Sequence, residues 1–198
     1  QFDEKLIRTY FHQLIRGVEY LHSQNIFHLD LKIENLLLNE NFQLLITDFD
    51  MAYKQGSGEI RSKGSKVYRA PELIRNRCTN PAAADMYSIG IILFAMKTYG
   101  YLPYYEDQLI QGIDLHQLLL KKDKSFWNAH IKLLRLSPDF FRNDFKELFE
   151  SLVEVDVSKR ATIADIKSSK WYNGPVYSNS ELAYIMKSKL QAKKQFSG

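Results

Sequence analysis

A mainly α-helical fold with one small β-hairpin is the architecture this sequence predicts, and three observations predict it. Apolar residues recur at helical spacing across residues 6–21. Residues 86–96 are apolar nearly all round, the mark of a helix at the centre of a core. Between them, two short apolar runs at 36–38 and 42–46 are separated by Asn39, Glu40 and Asn41, which reads as a hairpin.

The elements follow in order. Leu6, Ile7, Tyr10, Phe11, Leu14, Ile15, Val18 and Leu21 form one helix face, with Asp3 as its expected cap. Turn formers Ser23, Gln24 and Asn25 end it. After the hairpin, residues 54–66 carry glycines at 56, 58 and 64 and little periodicity, so a loop is expected. Pro103 punctuates the chain beyond the central helix, and further helices are expected near 108–120, 139–153 and 162–169. Residues 172–175 look like a stop. A last helix opens on Ser178 and Glu181, three apart as in a capping box.

With 198 residues, the chain is long enough for one domain with a large core and too short for two ordinary ones. Its 45% hydrophobic and 25% charged residues are typical of a globular protein. The strongest apolar run, 89–96, is far too short to cross a bilayer, and the polar, amphipathic start is unlike a signal peptide. No membrane span is therefore expected. One cysteine, Cys78, cannot make an internal disulfide, which fits a reducing, intracellular (cytoplasmic) setting, and it reads as an inert small hydrophobe. The net charge of +4 suits phosphate-bearing ligands but is too small to indicate nucleic acid. The chain has no initiator Met and opens directly into a helical pattern, so a fragment is expected.

The chemistry-bearing residues flank the hairpin. His28, Leu29, Asp30, Leu31, Lys32, Ile33, Glu34 and Asn35 precede it; Thr47, Asp48, Phe49 and Asp50 follow it. A hairpin brings its ends together, so Asn35 and Asp48 should lie side by side and offer the hard oxygen donors that Mg²⁺ prefers. Asp30 and Lys32 sit just upstream. A carboxylate beside a cation and a metal site suits phosphoryl transfer: the carboxylate orients a hydroxyl and takes its proton, and the cation steadies the moving group.

Taken together, these segments resemble the eukaryotic protein kinase family across nearly the whole chain. Residues 28–35 are similar to the catalytic loop and 48–50 to the Asp-Phe-Gly motif. Ala70, Pro71 and Glu72 match the Ala-Pro-Glu closing the activation segment, and residues 85–90 resemble the Asp-x-Trp-Ser-x-Gly opening the central helix. Arg160 falls where the family places the arginine that pairs with that glutamate.

The resemblance implies a kinase-like C-terminal lobe over 1–172, with the catalytic loop at 28–35, the activation segment at 48–72 and a basic amphipathic tail helix over 173–198. It implies ATP and Mg²⁺ as cofactors. Asp30 would be the catalytic base, Lys32 would contact the γ-phosphate, and Asn35 and Asp48 would hold the metal. Leu37 would pack beneath the adenine, and His28 and Phe49 would stack in the spine linking the lobes. Asp85 would hold the catalytic loop through its backbone, and Glu72 and Arg160 would form a buried pair. Lys32, with Ser65 hydrogen-bonding toward Asp30 and Lys32, resembles serine/threonine kinases. Glu34 stands where basophilic kinases pair with a substrate arginine, so the expected partner is a protein substrate whose Ser or Thr is flanked by basic residues.

Three departures qualify the resemblance. Leu29 replaces the arginine that grips an activation-loop phosphate, which makes Ser57 and Ser62 weak switch candidates. Asp50 replaces the glycine of Asp-Phe-Gly, a position where aspartate resists backbone angles open to glycine and would alter loop flipping. No glycine-rich loop precedes a strand lysine; residues 56–61 lack the last glycine and follow the metal aspartate. The chain by itself is therefore expected to be inactive. The alternatives are a pseudokinase-type binding module and, further off, a small-molecule phosphotransferase. The last helix carries Leu182, Ile185, Met186 and Leu190 on one side and Lys187, Lys189, Lys193 and Lys194 around it. Packing on the lobe is the expectation, with autoinhibition or calmodulin binding as the other reading.

Overall fold

A computed structural model describes residues 2–60, 66–105 and 109–195, with side chains described to residue 192. Helix α1, Glu4–Ser23, is capped by Asp3, whose carboxylate accepts the Leu6 amide at 2.7 Å. It buries Leu6, Ile7, Phe11, Leu14, Ile15 and Val18, the apolar stripe read from the sequence. Strand β1, Ile26–Phe27, follows, then the catalytic-loop segment and the hairpin of β2, Leu36–Leu38, with β3, Leu44–Ile46. The hairpin pairs Leu36 with Ile46 and Leu38 with Leu44. Its second strand begins two residues later than expected. The Asn39 carboxamide oxygen accepts the amides of Asn41 and Gln43, and Phe42 takes a φ of 60°, so Phe42 belongs to the turn. A second small sheet pairs β1 with β4, Tyr53–Lys54, and was not foreseen because neither strand is long enough to show a period.

Helix α2, Pro71–Ile74, leads to α3, Pro81–Lys97, capped by Asn80 through the Ala83 amide. Helix α3 is buried on all sides, as its unbroken apolar run requires. Gly90 permits α6 (Asn143–Leu152) to approach: a Cβ there would sit 2.8 Å from Val153 Cγ1 and 2.9 Å from Leu152 Cβ.

The helix expected over 108–120 is corrected to α4, Leu115–Leu120. Gln111 and Gly112 both take positive φ, and Asp114 starts the helix by accepting the Gln117 amide. Helix α5, Ser125–Leu133, was not expected at all. Its Phe126, Trp127 and His130 pack on Phe94, with Phe141 and Phe149 closing the aromatic cluster. Helix α7, Ile163–Ser168, has the capping box of Thr162 and Asp165, and α8, Asn179–Gln195, the one expected of Ser178 and Glu181.

A buried polar knot ties the ends of the chain to the core. Glu4 receives Lys97 and the Trp171 indole, while Arg8 donates to the Trp171 carbonyl at 2.6 Å and the Pro175 carbonyl at 3.0 Å. No helix among the described residues is long and apolar enough to cross a membrane. Burial pushes the half-buried Cys78 thiol up to about 11, so it stays protonated and unreactive near neutral pH.

Candidate active site

Residues 28–31 leave β1 through the core: His28, Leu29, Asp30 and Leu31 are all buried. Buried backbone amides outside regular structure need acceptors. Asp85, at the start of α3 and fully buried, supplies them: its carboxylate accepts the His28 amide at 3.0 Å and the Leu29 amide at 2.8 Å. Leu29 holds a left-handed φ of 60°, a costly angle for leucine that these bonds and its complete burial maintain.

His22 was not singled out from the sequence, yet its Nε2 lies 2.8 Å from the same Asp85 oxygen that takes the His28 amide. A histidine near a helix end carries no signal of its own; the link requires α1 and α3 to pack together. His28 ties the loop to the strand beyond the hairpin. Its Nε2 donates to the Thr47 carbonyl at 2.9 Å, its Nδ1 accepts the Asp30 amide at 3.3 Å, and its ring centroid lies 4.9 Å from that of Phe49.

Downstream, three of the expected site residues come together. Lys32 Nζ is 2.6 Å from Asp30 Oδ2. Asn35 Nδ2 donates to the Asp30 carbonyl at 2.9 Å and more weakly to its carboxylate at 3.4 Å. The bond from Asp30, helped by the charges of Asp30, Asp48 and Glu34, holds the Lys32 ammonium above the ordinary lysine range against its partial desolvation. The NH₂ group of buried Asn35 is engaged by Asp30, so its carboxamide oxygen is the atom that would serve a ligand.

The hairpin closes on Asn35, whose carbonyl accepts both the amide and the hydroxyl of Thr47, at 2.9 and 3.1 Å. Asp48 is thus the first residue beyond the Asn35–Thr47 closure, and it is exposed, with a φ of 63°. Asp50 is not among the positive-φ residues; the left-handed turn of this segment falls on Asp48 instead.

Leu37 is 53% exposed and pairs with Leu45, also exposed, on the hairpin's outward face. Glu34 is exposed beside Lys32. Glu72 and Arg160 form a bidentate pair at 2.5 and 2.9 Å. Arg160 also donates to the Glu154 and Ala83 carbonyls, so the pair fastens the end of the activation segment to the helical core. The Ser88 hydroxyl, donating 2.7 Å to the Tyr68 carbonyl, adds a second tie. Ser62 and Ser65 lie outside the described residues.

This donor set fits a magnesium-bound nucleotide. A neutral amide oxygen and a carboxylate, at the two ends of one hairpin, give the small number of hard oxygen ligands with which Mg²⁺ binds alongside phosphate and water. Among the described residues no cluster of three or more His, Cys, Asp or Glu is arranged to hold a metal ion.

Comparison with known proteins points the same way. The family model described as "Protein kinase domain" matches residues 1–172. CBL-interacting protein kinase 26 of Oryza sativa subsp. japonica is 36% identical over 177 residues, covering 87% of this chain and 33% of that protein. CBL-interacting serine/threonine-protein kinase 8 of Arabidopsis thaliana is 35% identical over 175 residues, covering 87% of this chain and 36% of the relative. The chain therefore spans about a third of the length of these relatives. With the loop, the hairpin and the Glu72–Arg160 pair arranged as described, and the family model matching most of the chain, this chain belongs to the eukaryotic protein kinase family.

Proposed function

We propose that these residues form the catalytic lobe of a serine/threonine protein kinase, with 1–172 as the lobe and 173–198 as a tail, working inside the cell on proteins whose Ser or Thr lies near basic residues. The observation that carries this reading is the Asp30–Lys32–Asn35 cluster on a loop pinned by Asp85. Bound Mg²⁺ and ATP would supply the transferable phosphoryl group and neutralise its charge.

Each residue's part follows from its position. Asp30 presents a carboxylate held on one side by Lys32, free to orient an incoming hydroxyl and take its proton as the bond to phosphorus forms. Lys32 is a cation close enough to serve both that carboxylate and the phosphoryl oxygens. Asn35 and Asp48 would hold the metal, Leu37 would support the adenine, and exposed Glu34 would attract a substrate arginine.

No glycine-rich loop and strand lysine precede the catalytic loop within these 198 residues, so this stretch alone should transfer no phosphate. Joined to an N-terminal lobe with a glycine-rich loop and strand lysine, the chain should lose about 10²–10⁴-fold in phosphorylation of Ser/Thr peptides on Asp30→Asn while Mg²⁺-ATP binding persists. Unchanged transfer in that variant would overturn the reading. Nucleotide binding with no transfer by the unmutated protein would favour a pseudokinase-type binding module.

A further inference from the structure

Helix α8 joins α1 in an apolar cluster that borders the hairpin closing on Asn35 and Thr47. Its Leu182 and Met186 are buried in a cluster with Leu6 and Tyr10 of α1, and Phe42 and Leu44 of the hairpin and Met96 of α3 pack against that cluster. Leu44 and Met96 also pack against the main core, so they border both the core and the cluster that α1 and the tail build together. On the α1 side, Gln13 fixes the same strand by accepting the Leu44 amide at 2.7 Å. The segment leading into α8 is tied down as well. The Tyr177 amide donates to the Thr9 hydroxyl at 2.9 Å, the Tyr177 hydroxyl donates to Asp3 at 3.1 Å, and Lys5 lies 4.0 Å from the Tyr177 ring centroid.

A three-residue-per-strand hairpin is marginal in water without packing on at least one face. The outward face here is exposed at Leu37 and Leu45, so the inward face, with Leu44, must hold the register that brings Asn35 to Thr47. We infer that Leu182 and Met186 of the tail are positioning residues for the catalytic site, acting through Leu44 and Phe42 to keep the hairpin in register. The inference rests on the kinase reading for its functional meaning, but the mechanical coupling stands apart from it. It gives the tail the opposite sign to an autoinhibitory helix: release of α8 loosens the site and lowers transfer. Lys187 and Lys189 are exposed on α8.

Hydrogen exchange of the 198-residue chain, read by mass spectrometry on peptides covering 36–46, tests the coupling without needing activity. Met186→Asp should speed exchange in 36–46 by about tenfold or more while α3 keeps its protection. Met186→Leu should restore the slow rate, and Tyr184→Asp, at a 74% exposed position of the same helix, should leave it unchanged. Fast exchange in α8 with no change in 36–46 would overturn the inference, as would equal acceleration by Tyr184→Asp. If Met186→Asp unfolds the chain, the milder Met186→Ala decides on the same two readouts. In the chain joined to such an N-terminal lobe, Met186→Asp should reduce transfer and raise KM for ATP. A gain of activity would refute the positioning role, whereas absence of transfer in the unmutated protein would fault the kinase reading alone.

Discussion

The two halves of the candidate site are built on different principles. The catalytic loop is buried and clamped: Asp85 holds two of its amides, His28 bridges it to Thr47, and Asn35 is fastened to Asp30. The segment 48–50, which follows the hairpin, is exposed at all three residues and is joined to the rest through Thr47 and the Phe49–His28 ring contact. The end of the activation segment returns to the first pattern, with Glu72 locked to Arg160. The loop side of the candidate site is therefore clamped by the helical lobe, and the 48–50 side is left exposed. That division suits a site that must hold its base rigidly while admitting a nucleotide.

The largest effect should come from breaking the clamped side. Arg160→Met strands the Glu72 carboxylate and should cost about 3–5 kcal/mol, lowering Tm by roughly 10 °C for a chain of this size. Asp85→Ala leaves the His28 and Leu29 amides without acceptors. It should cost about 2–4 kcal/mol, with faster hydrogen exchange in 28–35 and little change in 48–50. Equal acceleration in both segments would erase the distinction drawn above.

Acid probes the buried core more gently. Burial holds the His130 imidazole, with Nδ1 bonded to the Phe126 carbonyl, below the ordinary histidine range, and His12 is lowered by the same cause. Such groups stabilise the fold above the unfolded histidine value of about 6.5. That contribution fades as pH falls below it toward their folded values. Tm should drop between pH 7.5 and 5.5, and His130→Leu should flatten part of the slope.

The smallest effect separates two neighbours on the exposed side. Asp48 carries the left-handed turn and Asp50 does not, so Asp48→Gly should be more stable than Asp50→Gly by roughly 1 kcal/mol in denaturant titration. Equal stabilities would remove the conformational distinction between them.

Much of this was legible in the residues, and the misses have physical causes. The first helix was readable because its stripe, Asp3 cap and turn-forming end agree with one another. Helix α5 was not, because Phe126, Trp127, Asn128 and His130 are indifferent helix formers whose order comes from packing on Phe94 and Phe149. The overlong expectation at 108–120 counted apolar residues and missed that Gln111 and Gly112 turn the chain. In the site, the partnership of Glu72 with Arg160, 88 residues away, came from motif resemblance alone, and spacing by itself carries no trace of it.

By itself the sequence determined the first helix, the hairpin, the central helix and the order of the family's motif residues along the chain, because periodicity, caps and motif residues act over a few positions. Tertiary structure alone decided that His22 joins the Asp85 clamp, that the left-handed angle sits on Asp48 and not Asp50, and that the tail supports the hairpin. The first and the last of those depend on helices far apart in sequence meeting to exclude water. A buried amide or methyl group finds its partner only when they do.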